Sequence, residues 1–506
     1  MENTINKKFI RNIYILNISI CAFIILYGIT VGISGNDFWW HLKTGEWIYN
    51  NKAIPHTDVF SWYASTNNYT WYAHEWLSDI LYYAIYSLFG FLGISVFATV
   101  ILSFCHLLLM KLTQKKWERY PNFAIIWFLY EIALFTFIIQ CRPYIFSFIY
   151  LILELFLLTN FVEKDNDKKI FFLPIIGMLW ANMHGGSSNL SYCLPILFLL
   201  IGAIENFDFY KLKHTSIGKE KVKKLSIVSI LTILGNLINP YGIEMLIYPY
   251  RYMVGGNYDM QMIGEWQPLD LKTDTGFVIV ICLVITAIIF MMTEKKFEFI
   301  DFLLFGAFTY LLLQSIRFVF LFFIVATFII FKYIPGKFND ILKEKIMKPL
   351  TLITSIGINC FIIFILIFGE NYKPIETQLP NELIEIIRNS DNKRLYNYYN
   401  YGEELIWNDI PVFIDSRADV YSLNGTTLRE AFSMTSLKPF YIESEEYNPD
   451  DVFNIDYYFN DKYDFDAVLL PAREPLNVYI EQRKDFKQIY NKDGIIYWEK
   501  EKSGTD

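Results

Sequence analysis

The sequence predicts a mostly α-helical protein that crosses a membrane many times and ends in a small α/β domain. Hydrophobic side chains make up 54% of its 506 residues, and the mean hydropathy is +0.28. The apolar residues gather in blocks of roughly 15–25, the length that crosses a bilayer as a helix. A polar, acidic segment follows the last block. Because lipid cannot hydrogen-bond the backbone, each apolar block is expected to be a helix.

About eleven apolar blocks can be counted along the chain. They lie at residues 13–33, 92–112, 123–139, 145–161, 170–183, 190–204, 225–246, 277–292, 302–313, 318–333 and 350–368. The fifth and ninth blocks are short, and fit either tilted helices or helices packed inside the bundle. No small-residue cleavage site follows the first block, so we interpret it as a retained helix and not as a cleaved signal peptide.

The distribution of Lys and Arg predicts the orientation, because cytoplasmic loops of membrane proteins are enriched in these residues. They crowd the segment before the first block and every second loop after it; the segment 211–224 alone contains six lysines. We therefore expect a multi-pass protein of the cell membrane with a cytoplasmic N-terminus. With an odd number of spans, the loop 34–77 and the C-terminal domain are both extracytoplasmic.

The sequence predicts two domains, a membrane domain at 1–369 that includes the loop 34–77 and an extracytoplasmic α/β domain at 370–506. The second holds 15 basic and 27 acidic residues, a net charge of −12. Such a charge argues against nucleic acid as a partner. The six cysteines lie in or beside apolar blocks, so no disulfide framework is expected.

Alternating strand and helix patterns predict the α/β character of the C-terminal domain. The stretch 394–400 predicts a strand, and PVFIDSRADVY at 411–421 predicts a buried strand that ends in a polar loop. FDAVLLP at 465–471 predicts another buried strand. FKQIYNKDGIIYW at 486–498 predicts a hairpin that turns at Lys-Asp-Gly.

The loop 34–77 contains half of the aromatic indoles of the chain. It holds six of the 12 Trp and three of the six His, together with Asp37, Asp58 and Glu75. Indole faces beside carboxylates and imidazoles are typical of a carbohydrate site. A single Trp is explained equally well by the preference of this residue for membrane interfaces, but six in one loop with three His are not.

Two positions in this loop are candidates for acid–base chemistry. Asp37 lies about four residues after the first apolar block, where desolvation or a nearby cation can shift a carboxyl pKa into a range that suits a general base. A helix cap or a solvated loop acid is the alternative. Glu75 is a candidate second carboxylate, and His74 a candidate hydrogen-bond donor to a phosphate. Their alternative is an ordinary polar start of a helix.

Further candidates lie near the ends of later spans. Arg142 and Arg317 stand at the ends of predicted spans, close to the apolar part of the membrane. A charged side chain is costly there unless it pairs with another residue or binds an anion, either a ligand phosphate or a plain lipid headgroup. His184, before a Gly pair, is a candidate site residue or part of a simple helical hairpin. Glu265 beside Trp266 repeats the carbohydrate-like pairing. The stretch 415–419 is either a ligand loop after a strand or a structural Arg–Asp pair.

The order of these motifs resembles the first loop of GT-C glycosyltransferases, such as protein O-mannosyltransferases and the lipid A aminoarabinose transferases. In those families an acidic motif follows the first helix and a His- or Lys-Pro-Pro-Leu element closes the loop. Asp37 matches the first, and His74-Glu75-Trp76-Leu77 stands at the place of the second. Here Phe38 replaces a second adjacent acid and Glu75-Trp76 replaces Pro-Pro.

The chain is also similar, over most of its length, to a set of bacterial multi-pass proteins. The shared pattern comprises Asp-x-Trp-Trp-His-Leu-x-x-Gly at 37–45, Pro-x-x-Asp-x-Phe-Ser at 55–61, His-Glu-Trp-Leu at 74–77, Arg-Pro at 142–143, Asn-x-His-Gly-Gly at 182–186, Asn-Pro-Tyr-Gly at 239–242, Glu-Trp-Gln at 265–267 and Phe-Ile-Asp-x-Arg-Ala-Asp at 413–419. This second likeness carries no defined activity.

The GT-C resemblance implies a membrane glycosyltransferase with a GT-C-like helix bundle. It would move a sugar from a polyprenyl-phosphate donor to a glycan, lipid or protein acceptor, with membrane lipids as neighbours. The expected catalytic residues are Asp37, as the base, and Glu75. The expected substrate-binding residues are Trp39, Trp40, His41, Asp58, His74, Trp76, Arg142, His184, Glu265, Trp266 and Arg317.

No cofactor follows directly from the sequence. A divalent cation, Mg²⁺ or Mn²⁺, would suit a phosphate donor, but no metal ligands can be assigned. Two other functions stay open. A transporter or flippase for lipid-linked glycans should have ionisable residues deep in its spans, where Glu131, Glu154 and Asp301 stand. A non-catalytic scaffold for envelope assembly would depend on the C-terminal domain and not on Asp37.

Overall fold

The computed structural model of the chain is mostly α-helical, as the sequence predicts. It describes residues 7–31, 35–136, 141–164, 168–204, 208–209, 212–213, 217–254, 263–335, 344–368, 377–439 and 453–501. The predicted domain boundary between residues 369 and 370 lies outside these ranges. Every predicted apolar block coincides with a helix for most of its length, except that the block 225–246 is divided between two helices.

The helices are α1 Lys7–Val31, α2 Phe38–Asn51, α3 Trp62–Thr66, α4 Trp76–Trp117, α5 Pro121–Thr136, α6 Tyr144–Glu163, α7 Leu173–Met183, α8 Leu190–Ala203, α9 Lys219–Asn236, α10 Ile243–Val254, α11 Asp274–Met292, α12 Phe299–Gln314, α13 Val319–Tyr333, α14 Glu344–Phe368, α15 Asn381–Arg388, α16 Gly402–Trp407, α17 Ala418–Leu423, α18 Thr427–Ser436 and α19 Leu476–Glu481. The strands are β1 Asp208–Phe209, β2 Leu212–Lys213, β3 Phe297–Glu298, β4 Leu395–Asn397, β5 Ala467–Pro471, β6 Phe486–Lys492 and β7 Ile495–Lys500.

The chain divides into two compact units. The first unit comprises residues 1–34, 88–251 and 263–375, and the second comprises 35–87, 252–262 and 376–506. The sequence placed the loop 34–77 with the membrane domain, whereas the structure groups residues 35–87 with the C-terminal segment. Helix α4 runs through the boundary and is broken at Gly90, whose φ of 62° and ψ of −159° are not helical.

The first unit is a bundle of apolar helices. Within the described residues, six helices of the chain are long and apolar enough to cross a membrane: 7–30, 76–117, 144–163, 185–203, 316–333 and 345–367. Two shorter apolar helices lie at 276–292 and 299–314. The chain is therefore suited to a membrane, and the finer expectation of eleven spans stays a prediction.

Close packing in the first unit depends on small residues. A Cβ added to Gly235 in α9 would lie 2.5 Å from the carbonyl oxygen of Pro174 in α7. Only glycine permits that approach. Helix α13 is buried along almost its whole length, which marks it as an interior helix of the bundle.

The second unit contains a four-stranded sheet with the order β4-β5-β7-β6. Strands β4 and β5 are parallel, and β7 is antiparallel to both β5 and β6. The predicted hairpin is confirmed as β6–β7. Its turn residues Asp493 and Gly494 have φ values of 55° and 74°, as a tight Asp-Gly hairpin turn requires.

One predicted strand is wrong. The stretch 411–421 is buried but forms a single isolated bridge, between Val412 and Ser61, before it continues as α17. Its backbone is held by a side chain instead: the N–H of Phe413 donates to Asn397 Oδ1 (2.8 Å), and Asn397 Nδ2 donates to the carbonyl of Ile414 (2.8 Å). An amide side chain thus replaces a neighbouring strand.

Residues 35–87 and the C-terminal segment share one core. The N–H of Trp62 donates to the carbonyl of Val412 (2.9 Å), and its indole Nε1 donates to the carbonyl of Leu395 (3.1 Å). The indole also stacks on Phe413 with the ring centroids 5.6 Å apart. Trp62 is therefore a structural residue of the second unit.

Candidate functional site

Asp37 occupies the N-cap position of α2 in the second unit. Its φ of −57° and ψ of −26° are helical, and its side chain makes no capping hydrogen bond. The carboxylate is partly exposed and stands six residues after the end of α1, a helix able to cross a membrane. The structure therefore does not use this carboxylate as a helix cap, which was the simplest alternative to a chemical role.

Two buried carboxyl groups of the C-terminal segment accompany Asp37. Glu403 is fully buried, and burial together with the negative charges of Asp415 and Asp37 raises the pKa of Glu403 to about 8. Its Oε1 accepts a hydrogen bond from the N–H of Ser416 (2.7 Å), while its Oε2 has no hydrogen-bond partner within the described ranges. At neutral pH this group retains its proton beside Asp37.

The three candidate tryptophans of the loop 34–77 differ in exposure. Trp39 and Trp40 are only 5% and 7% exposed. The indole of Trp40 donates to Ser416 Oγ (3.1 Å), and Trp39 packs near Trp407 with centroids 6.1 Å apart. Trp76, at the start of α4, is partly exposed. Trp76 is thus the indole with the most open surface of the three.

His41 lies one helical turn after Asp37 and is buried between two carboxyl groups of the α4 region. Its Nδ1 shares a hydrogen bond with Asp79 Oδ1 (2.7 Å), and its Nε2 lies 3.5 Å from Glu75 Oε2. Trp40 stacks on the imidazole with centroids 3.6 Å apart. The more exposed His74 also approaches this group, with its Nε2 3.8 Å from Glu75 Oε1.

A glycine explains why these groups meet. Gly45 follows His41 by one turn of α2, and a Cβ at this position would lie 2.1 Å from the carbonyl oxygen of Asp79. The missing side chain lets α2 approach α4 closely enough for the imidazole to reach Asp79. Glu75 and Asp79, four residues apart, face the same side of α4 near its N-terminus, where negative charge is favourable.

Asp58 is placed in a buried ion pair. Its Oδ1 lies 2.6 Å from Arg417 Nη1, and Asp415 Oδ2 accepts from Arg417 Nη2 (2.6 Å). Tyr421 donates to the same Asp415 oxygen (2.6 Å). Trp71 packs against the guanidinium of Arg417, whose Cζ lies 4.6 Å from the centroid of the indole ring. Of the two interpretations of residues 415–419, the structural Arg–Asp pair is the one that the geometry supports.

In the first unit, two of the candidate arginines gather around Glu265. Arg142 Nη1 donates to Glu265 Oε1 (2.5 Å), and the Arg317 guanidinium lies 4.2 Å from the ring centroid of Trp266. Burial would raise the pKa of Glu265, but the charges of Arg142 and Arg317 outweigh it and hold the pKa below its usual value. Two guanidinium groups therefore share one ionised carboxylate.

His184 is a hydrogen-bonded residue of the bundle interior. Its Nδ1 lies 2.6 Å from Ser147 Oγ and 2.9 Å from Ser187 Oγ, and Trp180 Nε1 donates to Ser147 Oγ (2.8 Å). The group links α6, α7 and the turn at Gly185. Its role as a ligand contact stays a prediction.

Three carboxyl groups buried in helices of the first unit differ in their partners. Glu131 Oε1 lies 3.5 Å from His106 Nδ1, and Asp301 Oδ2 accepts hydrogen bonds from Lys332 (2.8 Å) and Tyr333 (2.6 Å). Glu154 is fully buried, and neither of its carboxyl oxygens has a hydrogen-bond partner within the described residues. This carboxyl group is the most isolated of the three.

Sequence reasoning missed Asp79, Glu403 and Tyr421. Asp79 has a local signal, because it follows Glu75 by four residues on one helix face. Glu403 has none, since its neighbours Asp37 and Asp415 become neighbours only on folding. Across the described ranges, no group of three or more His, Cys, Asp or Glu side chains is arranged to hold a metal ion.

No family model matches the chain, and no curated protein matches it either.

Proposed function

We propose that this protein is a membrane glycosyltransferase that moves a sugar from a polyprenyl-phosphate donor to an acceptor, with Asp37 as general base. One observation carries the proposal: Asp37 begins α2 without capping it, and its carboxylate stands in a cluster with two buried carboxyl groups, Glu403 and Asp415. Burial and neighbouring carboxyl groups keep Glu403 protonated at neutral pH, which leaves the partly exposed Asp37 as the carboxyl group of this cluster that an acceptor hydroxyl can reach.

Topology supports a lipid-linked donor. The Lys and Arg distribution predicts a cytoplasmic N-terminus and an Asp37 on the outer side of the first span. Nucleotide sugars are not available there, whereas a polyprenyl-phosphate sugar is presented by the membrane. The acceptor is a glycan, a lipid or a protein, and the eleven-span, GT-C-like arrangement belongs to this proposal.

The reaction is a single displacement. Asp37 takes the proton of the acceptor hydroxyl, a bond forms between the acceptor oxygen and the anomeric carbon, and the bond from that carbon to the phosphate oxygen breaks. The anomeric carbon passes through an oxocarbenium-like state, as in glycoside hydrolysis, and its configuration inverts.

The leaving phosphate needs positive charge or hydrogen-bond donors. In the second unit His74 is the candidate, because its side chain is the least buried part of the group around Glu75. The sequence also names Arg142 and Arg317 for this role, and that assignment stays a prediction. Trp76 would contact the sugar or the first isoprene units. Whether Mg²⁺ or Mn²⁺ assists is tested by chelation of the purified protein followed by addition of each ion.

Asp37→Asn tests the base. Membranes containing the full-length protein are incubated with radiolabelled polyprenyl-phosphate glucose, mannose or N-acetylglucosamine, and label in the acceptor fraction is measured. We expect a loss of about 10²-fold or more, the scale of general-base catalysis. Transfer by Asp37→Asn at a rate near that of the unaltered protein would exclude Asp37 as the base.

Glu46→Gln is the matched control for this experiment. Glu46 lies on the same helix and pairs with Lys43 at the partly exposed surface. Both substitutions remove one negative charge, but Glu46→Gln retains Asp37, the proposed proton acceptor. Transfer by this variant should therefore be unchanged. Absence of transfer by the unaltered protein with all three donors would reject this donor class.

A transport function is the second candidate, and the isolated Glu154 favours it. A buried carboxyl group inside a helix bundle is costly and often marks a proton or ion pathway. Glu154→Gln should then abolish proton-dependent movement of a fluorescent lipid-linked glycan in proteoliposomes. In a glycosyltransferase the same substitution should leave transfer intact.

A scaffold function is harder to test by deleting the C-terminal segment. That segment shares its core with residues 35–87 through Trp62 and the Asp58–Arg417 pair, so its removal would unfold the loop as well. Asp37→Asn distinguishes a scaffold from a glycosyltransferase better. A scaffold requires only the folded surface, so this substitution should leave its function intact.

A further inference from the structure

The arrangement around His41 goes beyond the contact with a sugar that the sequence predicts. The imidazole is nearly inaccessible, with 1% of its surface exposed, and it lies between the carboxyl groups of Asp79 and Glu75. Its role as a direct sugar contact stays a prediction. Each of its nitrogens faces a different carboxyl group, which is the geometry for accepting a proton at one nitrogen and releasing it from the other.

Asp79, Glu75 and His74 differ in burial, and this difference indicates which end of the arrangement is open to solvent. Asp79 is fully buried, and its Oδ2 has no hydrogen-bond partner among the described residues. The side chain of Glu75 is about a tenth exposed, and that of the neighbouring His74 is 16% exposed. Protons therefore enter or leave through Glu75 and His74, and Asp79 forms the closed end.

We infer that Asp79, His41 and Glu75 form a proton relay, in which the imidazole of His41 carries protons between the two carboxyl groups and Glu75 acts as the acid or base on a ligand. The relay rests on the proposed function only for the identity of that ligand. His41 and Asp79 are positioning residues in this scheme, because they act through Glu75. The titratable groups that face the imidazole include Asp79, Glu75 and Tyr82, whose ring edge is directed at it with centroids 6.3 Å apart.

In the proposed transfer, Glu75 supplies a proton to the departing phosphate. The O–H bond of Glu75 breaks and a phosphate O–H bond forms, while Asp37 holds the proton taken from the acceptor. His41 then passes its Nε2 proton to Glu75, and the carboxyl proton of Asp79 moves to Nδ1 of His41 to replace it. Water restores the starting state by moving the proton from Asp37 to the relay, so no proton is gained or lost over the cycle.

The first test does not depend on transfer. The full-length protein with ¹⁵N-labelled histidine is studied by NMR in detergent micelles, and the His41 signals are assigned by their loss in His41→Gln. We expect Asp79→Asn to change the tautomer of His41, because Nδ1 loses its carboxyl partner, and Glu75→Gln to shift its titration. His56→Gln is the control, since His56 is exposed in the same segment and should leave these signals in place.

The second test is the pH profile of transfer. A general acid is worth about 10²–10⁴-fold, and its loss removes the fall in rate at high pH. We expect His41→Gln and Glu75→Gln to transfer more slowly and with a flat high-pH limb, and Asp79→Glu to restore part of the rate lost in Asp79→Asn. A merely structural role would lower the rate without changing the shape of the profile.

The outcomes separate the two proposals. His41 signals that are unchanged in both Asp79→Asn and Glu75→Gln, with each variant eluting as a folded species, would overturn the relay. Absence of transfer by the unaltered protein would overturn the glycosyltransferase and leave the NMR result to decide on the relay. A pH profile identical in shape for all variants would show that Glu75 does not act as an acid.

Discussion

Arg417 and Asp58 form an ion pair in the interior of the second unit, with Nη1 and Oδ1 2.6 Å apart and side chains 1% and 0% exposed. Asp58 belongs to the Trp-rich loop and Arg417 to the C-terminal segment. Because Asp415 also contacts the guanidinium, one cation is shared by two carboxylates. A charge without its partners is very costly at such a depth, so the pair makes the folding of the two segments interdependent.

Asp58→Asn should strongly destabilise the second unit. Removing one partner of a buried pair typically costs about 3–5 kcal/mol. Thermal unfolding of the full-length protein in detergent measures the change. Lys492→Ala is the control, since Lys492 and Glu382 form a solvent-exposed pair, which contributes little to stability. Equal effects of the two substitutions would contradict a structural role for Asp58.

Glu403 should make the second unit less stable as the pH rises. Its pKa is about 8 in the folded protein, against an ordinary value of 4.5. Between these values the folded protein retains a proton that the unfolded chain has lost. The free energy of unfolding therefore falls with rising pH in this window, by at most about 1.4 kcal/mol per pH unit, and the loss is complete above pH 8.

Glu403→Gln should remove this part of the pH dependence, since an amide does not titrate. Unfolding is measured at pH 5 and pH 8, and the variant should gain stability relative to the unaltered protein at pH 8. Glu382→Gln, at an exposed position, should retain the original slope. If the curves of Glu403→Gln and the unaltered protein run parallel, the carboxyl group is ionised in the fold.

Gly45→Ala should separate α2 from α4. The new methyl group would lie 2.1 Å from the backbone carbonyl of Asp79, and backbone cannot move aside as a flexible side chain can. We expect a loss of about 1–3 kcal/mol, as for other overpacked sites, together with a changed His41 signal in the NMR experiment. Gly306→Ala is the control, because nothing lies within 4 Å of its Cβ position. An unchanged His41 signal would show that the contact does not need the close approach.

Features encoded by neighbouring residues could be predicted from the sequence. Blocks of apolar residues gave the helices, and Asp493-Gly494 gave the hairpin turn. The partnerships in the second unit could not, because Ser61 and Arg417, which contact each other in its core, are 356 residues apart. The strand expected near Val412 failed for a similar reason, since the Asn397 side chain took the backbone bonds that a strand would have made.

Helix length also limits what hydropathy predicts. The block 225–246 is mostly apolar, yet the turn Asn239-Pro240-Tyr241-Gly242 divides it, and Gly242 has a φ of 54°. The Asn239 side chain accepts from the N–H of Tyr241 (2.7 Å) and so closes this turn locally. A hydropathy window averages over such a turn, so it counts the block as one span although the block holds parts of two helices.

Glu265 should give the first unit an acid-sensitive contact. Arg142 and Arg317 hold the pKa of Glu265 below 4.5, so the folded protein keeps this carboxylate ionised at pH values where the unfolded chain binds a proton. The stabilisation is present above the unfolded pKa and is lost as the pH falls through the lower folded value. Glu265→Gln should therefore weaken the acid-induced fall in melting temperature below pH 4.5. Glu244→Gln is the control, since Glu244 pairs with a different arginine, Arg251, and this variant should retain more of that fall. A melting temperature that falls identically with acid in Glu265→Gln and in the unaltered protein would show that the two arginines are not balanced by this carboxylate.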